Sequence, residues 1–132
     1  MTDFALPITS LTALCAGVLI LLLTIRVVQF RRQNGVVLGD GGHPALAKAI
    51  RGHANATEQV PVALILMGLA ELQGASATVL GVIAVVLIGG RVLHALYFGR
   101  HGTHWRFRFF GMVMTLLAQI GLLLTLAVTL LI

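Results

Sequence analysis

The stretch ATVLGVIAVVLIGGRVLHALYF, Ala77 to Phe98, decides the fold. Its length suits a membrane-crossing helix, which needs about 20 consecutive, predominantly apolar residues, yet it carries Arg91 and His94 near one end. Working outward, the segments 5–28, 45–72 and 107–132 meet or approach the same length and apolarity. The chain is therefore expected to be an all-α membrane protein, one domain spanning residues 1–132 and built as a four-transmembrane-helix bundle. Composition excludes an ordinary soluble domain: 58% of residues are hydrophobic, 10% are charged and the mean hydropathy is +1.02.

Three connections separate the helices. The first, Gln29 to Pro44, holds Asn34, Gly35, Gly39, Gly41, Gly42 and Pro44, which favour turns; the second is Gln73 to Ser76 and the third Gly99 to Arg106. Arg26, Arg31, Arg32 and Lys48 flank the first, Arg100, Arg106 and Arg108 flank the third, and the second has no basic residue. The positive-inside rule then predicts connections one and three in the cytoplasm and both termini on the far side, in a bacterial inner membrane. This placement explains the net charge of +5 without nucleic acid, for which no motif is present. Asp3 and the lack of Lys or Arg before the first apolar run suggest a retained helix, not a signal peptide. The single Cys15, set among Leu, Val and Ile, reads as an inert packing residue.

Polar residues within the apolar helices carry the functional signal. Arg51, Asn55 and Glu58, at i, i+4 and i+7, fall within about 60° of one helix face. Arg91, His94 and Phe98 share a face of helix three, with Tyr97 at its edge. Both stripes reach the same membrane depth, and Pro61 lies one turn beyond the first. Ionisable residues in a membrane are costly, so they pair with one another or serve a function. A structural alternative pairs Glu58 with Arg51 or Arg91. The donor set, two or more arginines and an amide beside one carboxylate, suits a small zwitterion with an amine and several carboxylates. Arg51 and Glu58 are separated by about 10.5 Å along the axis, comparable with an extended tripeptide.

Arg51-Gly-His-Ala-Asn-Ala-Thr-Glu58 resembles the R-x-H-x-N-x-x-E motif of helix two in the membrane-associated proteins in eicosanoid and glutathione metabolism. Val36 to Gly42, Val60-Pro61 and Ala70 to Gly74 look like its bacterial branch, and the likeness covers nearly the whole chain. The resemblance implies a microsomal glutathione transferase-like homotrimer. Glutathione would serve as co-substrate between subunits, and a lipophilic small-molecule substrate would arrive from the membrane lipids. Arg51, Asn55 and Glu58 match the peptide-holding positions, and Arg91 and His94 match the R-x-x-H of helix three. An arginine at the start of helix four would hold the thiolate, with Arg106 as first choice on helical register and Arg108 as second. A guanidinium favours the thiolate of a thiol whose free pKa is about 8.5. The sequence departs from the pattern where relatives often have a tyrosine, since that position is Phe98 and the tyrosine is Tyr97.

Other residues have plainer expectations. His53 points off the stripe toward a subunit contact, and Arg26 either reaches a neighbour's site or snorkels to lipid phosphates. Arg31, Arg32 and Arg100 read as interfacial anchors, Trp105 and Phe107 as an aromatic belt, and Glu71 as a solvated residue at the opposite face. His43, His101 and His104 lack ligand spacing, so no metal is expected. Gly81, Gly89, Gly90, Gly111 and Gly121 are expected to permit close helix packing. The leading function is glutathione conjugation to lipophilic electrophiles, with lipid hydroperoxide reduction as a related chemistry. A non-catalytic lipid-binding or scaffold protein of the same fold is the alternative. A four-helix drug transporter coupled through Glu58 ranks last, because Arg51 and Asn55 make a cation path awkward.

Overall fold

The computed structural model describes residues 5–99 and 102–131; Asp3, Arg100 and His101 lie outside the described residues. Four helices follow one another: α1 (Pro7–Asn34), α2 (Pro44–Leu72), α3 (Ala77–Gly99) and α4 (Trp105–Leu131). Helices α1, α3 and α4 are each long and apolar enough to cross a membrane. Helix α2 is equally long, with 29 residues, but Lys48, Arg51, His53, Asn55 and Glu58 crowd its first half. It runs unbroken through Pro61.

Helix α1 extends further than its apolar run. Gln29 to Asn34 continue the helix, so the first connection is shorter than expected; the turn begins only at Gly35, whose left-handed φ of 64° suits glycine. Arg31 and Arg32 then stand in the last turn, where cations complement the helix dipole. Arg31 Nη1 also donates to the carbonyls of Val37 and Gly39, at 3.3 and 2.9 Å, holding the connection to the helix end. At the other end of α1 the first amides have no local side-chain cap. Glu71 supplies it from α2: its carboxylate accepts the N–H groups of Ile8 and Thr9 at 2.9 and 2.8 Å. This corrects the expectation of a solvated Glu71, and the cause is electrostatic, because the Ile8 and Thr9 amides, which have no partner within the helix, and a positive dipole end lie beside it.

The helices pack as a diamond. Helices α1 and α4 each pack against α2 and α3 but not against each other, and α2 and α3 touch across the short diagonal. The two helices with polar stripes are thus neighbours. Apolar packing fills the end near the second connection, where Ala63, Met67, Leu80, Leu87, Ala118 and Leu122 are buried together. Toward the other end, Arg91, His94 and Thr115 are buried alongside Leu46, Ala49 and Ala56.

Glycines set the spacing at that polar end. A Cβ at Gly90 would stand 2.9 Å from the Gly111 carbonyl, and one at Gly111 would stand 2.6 Å from the His94 nitrogen, so α3 and α4 meet backbone to backbone. Gly52 receives Phe98 in the same way, since a Cβ there would lie 2.5 Å from that of Phe98. Gly81, expected to belong to this set, has open space around it. Gln119 Nε2 joins α4 to α2 by donating to the carbonyl and the side-chain oxygen of Gln59, at 3.2 and 3.1 Å.

Candidate functional site

The site grows from Arg91. Its side chain is 1% exposed, although it lies in a helix built of Val, Leu, Ile and Gly. One nitrogen, Nη1, donates to Asn55 Oδ1 across the α2–α3 contact at 2.9 Å. Nε and Nη2 are buried with no hydrogen-bond partner among the described residues. One turn along α3, His94 is 3% exposed, its Nδ1 also lacks a partner, and its ring stacks 4.8 Å from that of Phe98. Buried polar atoms without partners are rare in folded proteins, so these nitrogens are open to a polar ligand.

A cleft of about 130 Å³ opens beside them, lined by Arg51, Asn55, His94, Phe98 and Arg108. Phe98 forms its floor: pressed onto Gly52, it also carries the Arg108 guanidinium 5.8 Å from its ring centre. Three arginines thus converge on the cleft, two lining it and Arg91 behind Asn55, while no carboxylate lines it. The chemistry this permits is capture of an anion, by forked guanidinium donors that match carboxylates.

Among the expected site residues, the structure brings together Arg51, Asn55, Arg91 and His94. Glu58 keeps its place on the Arg51 stripe but stands exposed on the outward face of α2, outside the cleft. The alternative pairing of Arg91 with Glu58 does not form, because Asn55 holds Arg91. Arg106 and Arg108 separate: α4 begins at Trp105, and with about 100° per residue the two side chains point to different faces. Arg108 lines the cleft, whereas Arg106 lies along an apolar groove with Leu93, Phe107, Phe110 and Met114. Tyr97 is outside the cleft, its ring 3.9 Å from Lys48 Nζ. His53 is half-buried on α2, also outside the cleft.

Some expectations for the surroundings change. Cys15 is exposed on α1 rather than packed inside, because its position on the helix faces a groove against α3. Trp105 and Phe107 are exposed as expected of a belt, and Phe109 and Phe110 join them. Among the described residues no group of three or more His, Cys, Asp or Glu could hold a metal ion. Sequence reasoning did not find the Gln59–Gln119 link or the role of Gly52, since neither leaves a periodic signal.

A bundle of four helices, three of them long and apolar enough to cross a membrane, with Arg91 buried toward one end, defines an integral membrane protein. Comparison with known proteins agrees: the chain matches the MAPEG family over residues 9–128. It is 37% identical over 108 residues to Inner membrane protein YecN of Escherichia coli K12, covering 82% of this chain and 81% of that protein. The same identity and coverage hold for the protein of that name from Escherichia coli O6:H1. No solved structure matches. The chain belongs to the MAPEG family.

Proposed function

We propose that this protein is a membrane-bound glutathione transferase that raises the thiolate of glutathione against lipophilic electrophiles. The observation that carries it is the convergence of Arg51, Arg91 and Arg108 on a cleft with no carboxylate of its own, two of the Arg91 nitrogens being unsatisfied. A tripeptide with two carboxylates answers both the charge and the vacant donors. Family membership supports the choice, since the family includes glutathione transferases.

The cleft size bears on assembly. Small-molecule sites occupy about 300–1,000 Å³, and one protomer offers about 130 Å³. The remainder would come from a second copy, in a homotrimer whose contact includes the outward face of α2. That face carries Arg51 and Glu58 at one end and exposed Val62, Ile65 and Leu69 along the rest. Two charges on a lipid-facing surface are costly, and protein cover removes the cost. In the shared site Glu58 would meet the amine of the peptide, and Arg51, Asn55 and Arg91 its carboxylates, with His94 donating nearby. The basic end would face the cytoplasm of a bacterial inner membrane, where such a thiol is dissolved.

Within the protomer Arg108 faces the other site residues, so it takes the thiolate-holding role in this proposal; Arg106, first on register alone, would act only in a site shared between copies. The thiol proton leaves to solvent and the guanidinium stabilises the sulfur anion. The sulfur lone pair then forms a carbon–sulfur bond, and the leaving group departs with the electron pair of the bond it breaks. Lipophilic substrate would reach the sulfur along the apolar helix surfaces. The test is conjugation of glutathione to a chromogenic aryl halide by purified protein. Turnover that Arg108→Ala lowers by at least about 100-fold fits the size of one lost anion-stabilising donor, whereas full turnover in that variant moves the role to Arg106 or removes it from both.

A further inference from the structure

A second place in the molecule joins an apolar groove to a cation, on a different pair of helices from the cleft. Leu19, Leu22, Leu23 and Arg26 of α1 face Val92, Leu96 and their neighbours on α3 across a groove of about 260 Å³. Leu11, Thr12 and Cys15 face Ala84, Val85 and Ile88 across another of about 370 Å³. The contributing positions continue at steps of three and four on both helices, so the two grooves are successive parts of one seam. From Leu11 to Arg26 that seam measures about 22 Å at 1.5 Å per residue.

The seam is apolar throughout apart from Thr12 and Arg26, and no carboxylate lines either groove. Arg26 Nε is buried without a hydrogen-bond partner among the described residues, and its guanidinium lies 4.3 Å from the centre of the Phe30 ring. Stacking holds the fork in place and leaves its edge to be satisfied from outside. Counting about 30 Å of hydrocarbon from Pro7 puts the opposite boundary close to Arg26, at the level of lipid phosphates.

We propose that this seam is a binding site for one anionic phospholipid of the leaflet at the basic end. Its phosphate meets the Arg26 fork, and one acyl chain lies along Leu22, Leu19 and Cys15. One leaflet contributes about 15 Å of hydrocarbon, half of the whole core, so a single chain fits within the seam. An anionic headgroup is favoured over a zwitterionic one because an ammonium group would find no acidic partner there. The three described carboxylates are elsewhere: Glu71 caps α1 at its far end, Asp40 accepts the Gly42 amide, and Glu58 faces outward from α2.

The test is native mass spectrometry of the detergent-solubilised full chain with added phosphatidylglycerol or phosphatidylcholine. Phosphatidylglycerol should be retained preferentially, one per protomer. Arg26→Gln should reduce that preference by about fivefold, the effect of one basic residue at a membrane surface, and leave phosphatidylcholine retention unchanged. Ala95→Phe, which fills the groove beside Arg26, should reduce retention of both lipids while circular dichroism reports an intact helical fold. Equal retention of the two lipids by the parent protein would overturn the proposal. So would an undiminished preference in Arg26→Gln, unchanged retention in folded Ala95→Phe, or displacement of phosphatidylglycerol by inorganic phosphate alone, since that would leave the apolar seam without a part.

Discussion

Asn55 has two duties that substitution can separate. It satisfies one Arg91 nitrogen inside the protomer and lines the cleft. Asn55→Ala leaves a buried guanidinium with no protein acceptor and should cost about 2–3 kcal/mol of stability, read by thermal unfolding in detergent. Asn55→Asp supplies a carboxylate to Arg91, so it should keep the fold while competing with an anionic ligand; glutathione affinity measured by calorimetry should fall at least about tenfold. Unchanged affinity in Asn55→Asp would show that the ligand does not use this corner. Arg91, His94 and the Arg51–Asn55–Glu58 stripe were legible because a charge inside an apolar run needs a reason, and 3.6 residues per turn says which residues stand together. That Glu58 lies outside the cleft was not legible, since periodicity fixes a face but not which neighbour covers it.

Between elements, glycines and one acidic residue decide the geometry. Gly90→Ala or Gly111→Ala forces apart two helix backbones that meet at less than 3 Å from the added atom, and should cost about 1–3 kcal/mol. Gly81→Ala, with open space around it, should be neutral or stabilising by up to about 1 kcal/mol. Equal effects at Gly81 and Gly90 would contradict this contact. Glu71→Ala removes the acceptor of two α1 amides, and hydrogen exchange should show the first turn of α1 fraying at a cost of about 1 kcal/mol. Four helices could be read from hydrophobic length alone. The Glu71 cap could not, because its partners are backbone amides more than sixty residues away. Which of Arg106 and Arg108 lines the cleft was equally hidden: it depends on how α4 is rotated against α3, where Gly90 and Gly111 bring the two backbones together.

At the scale of the whole molecule, the contact proposed along the outward face of α2 would join assembly to catalysis. If copies meet there, Ile65→Cys in a Cys15→Ser background should form an intersubunit disulfide under mild oxidation, seen as a doubled mass on denaturing gels without reductant. Native mass spectrometry should give three copies for the parent protein. A solely monomeric species in a mild detergent would leave the cleft too small for a tripeptide and would remove the need for Glu58.

Ultraviolet difference absorbance of the thiolate, on adding glutathione to the purified protein at neutral pH, tests the central claim most directly. A free thiol with a pKa of about 8.5 is mostly protonated there, so a site that stabilises the anion should give a saturable signal. That signal should persist as pH falls below the free pKa, disappear only below the lowered one, and be lost in Arg108→Ala if that residue holds the sulfur. Glutathione binding without a thiolate signal would contradict an activated-thiol enzyme and leave a non-catalytic membrane protein of the same fold.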